Sequence, residues 1–201
     1  MSQSIPVPAS LTARKRRRVQ QRIVEATDEL FAAKGFDNVS VTDIAAHAEV
    51  GRTTFFRYFG DKAEVVFAHE QEMLDAITEV AQMEAVGTAQ TIAEAIDQLR
   101  PIVLELCDRA SNNIKGYALH YELVQKHLEL RARDALKTQR IAERLSELLV
   151  ARGTDLSIAS LAGQVALACY QSARRTAKSA RTLTDETRAA FEQLVGLSDR
   201  E

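Results

Sequence analysis

Residues 40–62 read SVTDIAAHAEVGRTTFFRYFGDK, and this stretch decides the fold of the N-terminal part of the chain. Ser40 and Asp43 stand at capping-box spacing, which predicts that a helix begins directly after Ser40. Residues 49–51 leave room only for a tight turn before a second short helix, which is predicted over residues 52–59. Two short helices joined by a turn of about three residues are typical of a helix-turn-helix unit.

The helix that precedes this stretch is predicted to support it. Apolar residues recur along one face at intervals of four and three, which is the period of an amphipathic helix. These residues are Val19, Ile23, Ala26, Leu30 and Ala33. We expect the helix to begin within the basic run around residue 14 and to end at Lys34. Gly35 suits a left-handed helix end, and Phe36 can fold back there on Phe31.

The charge of the chain is divided unevenly along its length. Residues 1–62 carry ten Lys/Arg and seven Asp/Glu, a net +3, whereas residues 63–201 carry sixteen and twenty-one, a net −5. Residues 1–22 contain six basic side chains and no acidic one: Arg14, Lys15, Arg16, Arg17, Arg18 and Arg22. A basic front on an acidic body indicates that the front meets a polyanion, although a solvated tail would have the same composition.

The rest of the chain is predicted to be helical. Gly and Pro number only eight and three among 201 residues, and we find no strand pattern. Asp61 is a predicted cap for a long fourth helix from Lys62 to about Ala85, and further caps are predicted at Thr91, at Thr154 with Asp155, and at Thr184. The predicted fold class is all-α with about nine helices: an N-terminal three-helix helix-turn-helix domain and a C-terminal helical domain.

Residues 40–66 resemble the DNA-binding domain of the TetR family of bacterial transcriptional repressors. The matching positions are Asp43, Ile44, Ala45, Val50, Arg57, Tyr58, Phe59 and Lys62. The resemblance is strong over about residues 17–66, and beyond them only the length and the number of helices match. It implies a disordered tail over residues 1–13, a DNA-binding domain over 14–62, and a regulatory and dimerisation domain over 63–201.

Three positions depart from the family pattern. Glu49 stands where the family usually has Gly, so the turn must form without the freedom of glycine at positive φ. Gly51 replaces a polar cap of the recognition helix, which Gly can still cap. Phe56 stands where Tyr is common, so a hydroxyl that reaches a phosphate is missing.

The start of the second short helix holds the predicted base-reading residues. Arg52 can donate two hydrogen bonds to guanine, and Thr53 and Thr54 can offer a hydroxyl or a methyl group. Phe56 can pack on a thymine methyl group or belong to the core. Predicted contacts to the phosphate backbone are Thr42, Arg57, Tyr58, Lys62 and the arm residues Arg16, Arg17 and Arg18. We interpret His47 as a solvated helix residue.

The resemblance further implies a homodimer that encloses a cavity for a small molecule. Dimerisation also has a rationale of its own, since one recognition helix reads few bases and a two-fold dimer doubles the reading of a palindrome. The predicted interface residues are Leu161, Val165, Ala168, Phe191, Leu194 and Val195, with close approach at Ala162, Gly163 and Ala166. The candidate cavity residues are Tyr117, His120, Tyr121, Gln125, Cys107, Cys169 and Tyr170. Core packing remains an alternative for each of these residues.

The chemistry of the effector and of the second basic cluster follows from residue types. The scarcity of convergent charges favours a small, largely apolar effector. We interpret Arg174, Arg175, Lys178 and Arg181 as favourable charges at the C-terminus of a helix, with an anion site as the alternative.

The predicted function is a sequence-specific DNA-binding regulator, a repressor that a small molecule releases from its operator. The alternatives are a C-terminal domain that responds to a protein partner, and an activator. The four histidines lack metal-ligand spacing and neither cysteine stands in a nucleophile motif, so an enzyme, a metal and a cofactor are not expected. Two distant cysteines, no apolar run near about 18 residues and no signal peptide favour a cytoplasmic protein away from membranes.

Overall fold

The computed structural model describes residues 11–68, 74, 77, 79, 87–112, 114–177 and 179–198. These residues form helices and turns, and none of them lies in a strand. The chain divides into two compact units, residues 1–68 and 69–201. Among the described residues, no helix is long and apolar enough to cross a membrane.

The first unit contains four helices. They are α1 (Leu11–Lys34), α2 (Val41–His47), α3 (Arg52–Tyr58) and α4 (Lys62–Val66). The three predicted boundary devices are confirmed. Gly35 ends α1 at φ +78, the Ser40 hydroxyl accepts from the Asp43 backbone in a capping box, and Asp61 accepts from the Glu64 backbone at 2.8 Å.

Aromatic and aliphatic side chains fill the core of the first unit. The most deeply buried residues are Ile23, Phe31, Phe36, Val39, Ile44, Ala45 and Phe55. Phe31 and Phe36 meet edge to face with ring centroids 5.1 Å apart, which confirms the predicted contact at the end of α1. Ala33 is exposed, so the apolar stripe of α1 ends one turn earlier than predicted.

The second unit contains five described α-helices and one 3₁₀ turn. They are α5 (Ile92–Asn112), α6 (Ile114–Lys126), α7 (Leu128–Ala151), α8 (Leu156–Thr176), the 3₁₀ turn Ala180–Thr182 and α9 (Leu183–Ser198). Helix α8 packs against α5, α7 and α9 and is the centre of this unit. Leu99, Leu145, Ala162 and Phe191 are completely or almost completely buried in its core.

The close packing of α8 on α7 depends on a glycine. A Cβ atom at Gly163 would lie 2.7 Å from the carbonyl oxygen of Ala142 and would also meet the Ser146 hydroxyl. The small residues at 162, 163 and 166 therefore allow close approach within one subunit. Their predicted role in approach to a second subunit is wrong, since all three are buried against their own chain.

Several predicted boundaries are wrong. Helix α4 ends at Val66, and Phe67 and Ala68 form a turn, so no single helix runs from Lys62 to Ala85. Helix α1 begins at Leu11, before the basic run, because nothing in residues 11–13 stops a helix. The first ten residues of the predicted tail lie outside the described residues. The division between units falls after residue 68, six residues beyond the predicted boundary, because α4 packs on α1.

The N-terminus of α9 is also placed differently. Thr184 was expected to cap this helix, but it lies inside α9 and its hydroxyl donates to Asp108 at 2.6 Å. The capping box belongs to Ser179 and Thr182 of the 3₁₀ turn before it. A threonine can bond a neighbouring helix instead of its own backbone, and the sequence around Thr184 does not distinguish the two.

Candidate nucleic-acid interface and buried polar cluster

The start of α3 is presented by a backbone turn that ends α2. Glu49 adopts a left-handed conformation at φ 52. The Val50 amide donates to the Ala45 carbonyl at 2.9 Å, and the Glu49 amide donates to the Ala46 carbonyl at 3.1 Å. These two bonds are a Schellman ending, which normally carries Gly at the left-handed position. The turn therefore forms without glycine, at a cost of about 1–2 kcal/mol.

The predicted base-reading residues lie on the outer side of α3. Arg52, Thr53 and Phe56 are exposed, and Thr54 is half-buried. The adjacent aromatic residues separate cleanly, because Phe55 is 0% exposed in the core and Phe56 is 47% exposed. The structure therefore assigns core packing to Phe55 and leaves the Phe56 ring available for contact.

Tyr58 brings two arginines together. The Arg16 guanidinium of α1 lies 5.9 Å from the centroid of the Tyr58 ring, and the Arg57 guanidinium lies 5.5 Å from it. Both distances suit a cation–π interaction. Two arginines from distant parts of the sequence thus form one cationic group at the C-terminal end of α3.

Lys62 is engaged within the chain. Its ammonium group donates to the carbonyl oxygens of Phe36, at 2.6 Å, and Val39, at 3.0 Å. It also lies 4.3 Å from the centroid of the Phe36 ring. The contact with phosphate that we predicted for Lys62 therefore competes with a structural role, because the carbonyls that follow α1 lack helical partners and attract this cation.

The remaining predicted contacts of the first unit are placed on its surface. Thr42, Arg17 and Arg18 are exposed. His47 is also exposed, but its Nε2 lies 2.7 Å from a carboxylate oxygen of Glu29 and so links α2 to α1. The interpretation of His47 as simply solvated is therefore incomplete.

A buried polar cluster in the second unit was missed by the sequence analysis. It comprises His120, Asp134 and Arg174 together with Tyr117, Tyr121 and Tyr170. Arg174 is 8% exposed, and its Nη1 donates to both carboxylate oxygens of Asp134 at 3.1 and 3.3 Å. His120 Nε2 lies 3.4 Å from Asp134 on its other side. The interpretation of Arg174 as an exposed charge is wrong, since α6 and α7 cover it.

The groups of the cluster support ionisation of Asp134. Burial alone would raise the pKa of this carboxyl, but the hydrogen bond from His120 and the positive charge of Arg174 outweigh burial and hold the pKa below its usual value. Burial also raises the pKa of the Tyr170 phenol, and the charge of Arg174 only partly opposes that effect. The cluster thus contains a buried ion pair surrounded by neutral phenols.

An apolar recess lies beside this cluster. Its walls come from α5, α7 and α8, and its volume of about 10 Å³ has room for about one water molecule. The lining residues are Val103, Leu106, Ile141, Leu145, Ala166, Leu167 and Tyr170. Tyr170 therefore belongs both to the recess and to the buried polar cluster.

The other candidate cavity residues have different surroundings. Gln125 is exposed on α6, so it does not face the interior as predicted. The Cys107 thiol is fully buried and donates to the Thr187 hydroxyl at 3.4 Å, since that hydroxyl itself donates to the Leu183 carbonyl. Burial raises the pKa of Cys107 to about 11, and it also raises the pKa of Cys169. Both cysteines are therefore protonated thiols near neutral pH.

The predicted interface residues fall into three groups. Leu161 and Ala168 are exposed, and Val165 and Leu194 are half-buried. Phe191 is 0% exposed inside its own unit, so its assignment to an interface is wrong: packing against α5 and α8 buries the ring. The side chain of Val195 lies outside the described part of the chain.

Comparisons with known proteins identify the family. Residues 23–68 match the family model described as bacterial regulatory proteins, tetR family. The HTH-type transcriptional regulator TcmR of Streptomyces glaucescens is 29% identical over 160 residues, which cover 77% of this chain and 70% of TcmR. The matched residues contain α2, the turn and α3.

Two solved structures share the fold along most of the chain. A TetR-family transcriptional regulator from Mesorhizobium loti has a TM-score of 0.56 at 18% identity, covering 91% of this chain and 98% of its own. Thermus thermophilus FadR, a TetR-family transcriptional repressor in complex with lauroyl-CoA, has a TM-score of 0.57 at 22% identity, covering 88% and 93%. Taken with the helix-turn-helix geometry and the match over residues 23–68, these likenesses show that the chain belongs to the TetR family of bacterial transcriptional regulators, and that it is a DNA-binding regulator rather than an enzyme.

Proposed function

We propose that this regulator is a repressor that binds a palindromic operator as a homodimer and leaves it when a small molecule binds. The exposed N-terminal turn of α3 carries this proposal, because Arg52 and Thr53 are held outward by a helix whose other side is anchored through Phe55. In a helix-turn-helix unit, the first residues of the recognition helix meet base edges in the major groove. We assign the DNA contacts to residues 14–62 and regulation to residues 63–201.

Base reading and backbone contact are assigned to different residues. Arg52 is our reader of guanine, since its fork suits the O6 and N7 atoms. The two guanidinium groups on Tyr58 and the exposed arginines 17 and 18 supply phosphate contacts, which position the protein without reading sequence. We infer supporting contacts to DNA from Thr42, Thr54 and Phe56.

The outer face of α8 supports the proposed dimer. Its exposed side chains from residue 156 to residue 172 are all uncharged: Leu156, Ser157, Ser160, Leu161, Gln164, Ala168, Gln171 and Ser172. The exposed face of α7, by contrast, carries Arg131, Arg140, Glu143, Arg144 and Glu147. A depletion of charge is typical of the centre of a protein interface. We therefore propose that Leu161, Val165, Ala168 and Leu194 contact a second copy.

The second unit is our candidate for the effector site. The buried polar cluster and the apolar recess bring polar groups and aliphatic walls together, as small-molecule sites do. FadR of Thermus thermophilus, which shares the fold, is a repressor that binds lauroyl-CoA. We propose that effector binding favours a dimer whose recognition helices no longer match adjacent major grooves. The helix that begins at Lys62 ends at Val66, so it is not the single continuous lever that we expected.

Selection of bound sequences from a random duplex pool, at near-physiological salt, tests the operator proposal. We expect a palindrome with half-sites about one helical turn apart. Recovery of no motif, with binding that vanishes as salt rises, would mean that the protein makes only electrostatic contacts and would refute a specific repressor.

Two variants with matched controls separate the parts of the proposal. Arg52→Ala is expected to lose about tenfold or more on the selected site but little on random DNA, whereas Arg144→Ala, an exposed arginine of α7, changes neither. Equal losses on both DNAs would remove Arg52 as a base reader. Leu161→Glu is expected to yield monomers in analytical ultracentrifugation, whereas Leu136→Glu on the outer face of α7 leaves the dimer intact. An intact Leu161→Glu dimer would contradict the interface.

A further inference from the structure

The guanidinium of Arg174 has more hydrogen-bond donors than its surroundings can satisfy. It carries five N–H groups and is only 8% exposed. Its hydrogen bonds to Asp134 both leave from Nη1, and the Tyr117 hydroxyl is a further neighbour that interacts with it. Among the described residues, no hydrogen bond of 3.5 Å or less leaves from Nε or Nη2. Part of a buried donor fork is therefore open to an acceptor from outside the chain.

The surroundings of this guanidinium are aromatic on one side and aliphatic beyond. Its central carbon lies 5.9 Å from the centroid of the Tyr121 ring and 5.5 Å from that of Tyr170. Tyr170 also forms part of the wall of the apolar recess. A positive group and a closed apolar space thus meet at a single ring.

We propose that Arg174 binds the carboxylate of an amphipathic effector whose apolar chain opens and fills the recess. This inference rests on the effector response in the proposed function and names its ligand class: a carboxylic acid with a linear apolar chain. A planar carboxylate matches the guanidinium fork in two parallel hydrogen bonds. A linear chain is favoured over a ring system because the closed recess has room for about one water molecule only. This ligand class replaces the largely apolar, uncharged effector that the residue types predicted.

Asp134 is an internal competitor for the same donors. Its carboxylate is 18% exposed and also faces His120 at 3.4 Å. An entering carboxylate takes over Nη1 of Arg174, while Asp134 keeps His120 as a partner. The exchange breaks the ion pair between α7 and α8, which gives ligand binding a direct effect on helix packing.

Binding of decanoate and 1-decanol to the full-length chain tests this proposal. The two probes share one apolar chain and differ in the carboxylate, and equilibrium dialysis measures their affinities for the wild type, Arg174→Met and Asp134→Asn. We expect Arg174→Met to weaken decanoate by about tenfold or more and to change 1-decanol by less than about twofold. Asp134→Asn is expected to strengthen decanoate, because it removes the competing charge.

The opposite signs of the two variants distinguish a ligand site from a structural ion pair. A purely structural pair predicts that both variants weaken the acid and the alcohol alike, and this result would overturn the inference. If Arg174→Met does not fold by circular dichroism, Arg174→Lys keeps the charge without the fork; it is expected to weaken decanoate, and unchanged affinity would overturn the inference.

Operator binding by the same preparations, measured without decanoate, separates this inference from the proposed function. Intact specific DNA binding with no preference for decanoate over 1-decanol refutes the carboxylate site and leaves the repressor standing. A preference for decanoate that depends on Arg174, in a protein without specific DNA binding, supports the site and refutes the repressor.

Discussion

The two units of the molecule place their polar functional groups in opposite ways. In residues 1–68, the candidate DNA-contacting side chains lie outside on one short helix, and caps, a turn and buried aromatic rings hold that helix in position. In residues 69–201, His120, Asp134 and Arg174 converge inside the unit from three different helices. An exposed polar surface costs little stability, whereas a buried ion pair is stable only while both partners are present.

The largest expected effect is that of Phe55→Ala. The ring is 0% exposed, so its removal is expected to cost about 3–5 kcal/mol of the free energy of unfolding of the first unit. Phe56→Ala, one residue away and 47% exposed, is expected to cost less than about 1 kcal/mol. Hydrogen exchange of the α2 amides measures both. Similar losses would show that the core does not separate the two rings as described.

Asp134→Ala is expected to cost about 3 kcal/mol, because it leaves the buried Arg174 charge without a partner. The double variant Asp134→Leu with Arg174→Met is expected to recover most of this loss, since no buried charge remains. Thermal unfolding followed by circular dichroism compares the single and double variants. Additive losses would show that the pair is not coupled, and the contrast between the two units would weaken.

The same pair predicts a dependence on acid. Because the pKa of Asp134 is held below its usual value, the stability that ionisation contributes is present above about pH 4. This contribution is lost as the pH falls through the lowered pKa. We therefore expect the stability difference between the wild type and Asp134→Asn to shrink in acid, measured by urea unfolding from pH 7 to pH 3. A difference that is independent of pH would contradict an ionised Asp134.

Gly163→Ala is expected to cost about 1–3 kcal/mol, because the new methyl group would meet the Ala142 carbonyl oxygen at 2.7 Å. Gly87→Ala is the control in the same unit, since nothing lies within 4 Å of its added Cβ atom. Urea unfolding is expected to show a change within about 0.5 kcal/mol for the control. A tolerated Gly163→Ala would mean that α7 and α8 can separate at this point.

The smallest expected effect comes from the turn before α3. Glu49→Gly is expected to stabilise the first unit by about 0.5–1 kcal/mol, because the relief of a left-handed residue exceeds the extra chain entropy of glycine. Gly35→Ala places alanine at φ +78 and is expected to destabilise the unit by about 1 kcal/mol. Opposite signs in thermal unfolding would support the assignment, and a destabilised Glu49→Gly would contradict it.

Local signals in the sequence were sufficient for the first unit. The Ser40 capping box, the end of α1 at Gly35 and the cap at Asp61 each depend on residues within a few positions of each other, and all three are confirmed. The relation between Lys62 and the carbonyls of residues 36 and 39 was not predictable in the same way, since it joins positions more than 20 apart. A cation near a helix start reads the same whether it binds phosphate or backbone.

The second unit shows where local signals end. Helix periods predict α6, α7 and α8, but three residues of one polar cluster stand at positions 120, 134 and 174, and nothing in the sequence relates them. Phe191 and the small residues of α8 suit an interface and a core equally well by type. Burial decides between the two, and burial depends on which helices become neighbours.

The sequence by itself determined the class of the protein, the helix-turn-helix unit and the residues that begin α3, because caps, turns and helix periods act over one to seven positions. Tertiary structure alone decided that Arg174 is buried against Asp134, that Lys62 holds backbone carbonyls, and that Phe191 packs inside its own unit. These facts are properties of contacts between distant segments. A side chain's type states which partners it can accept, and only the packing of helices determines which partner it meets.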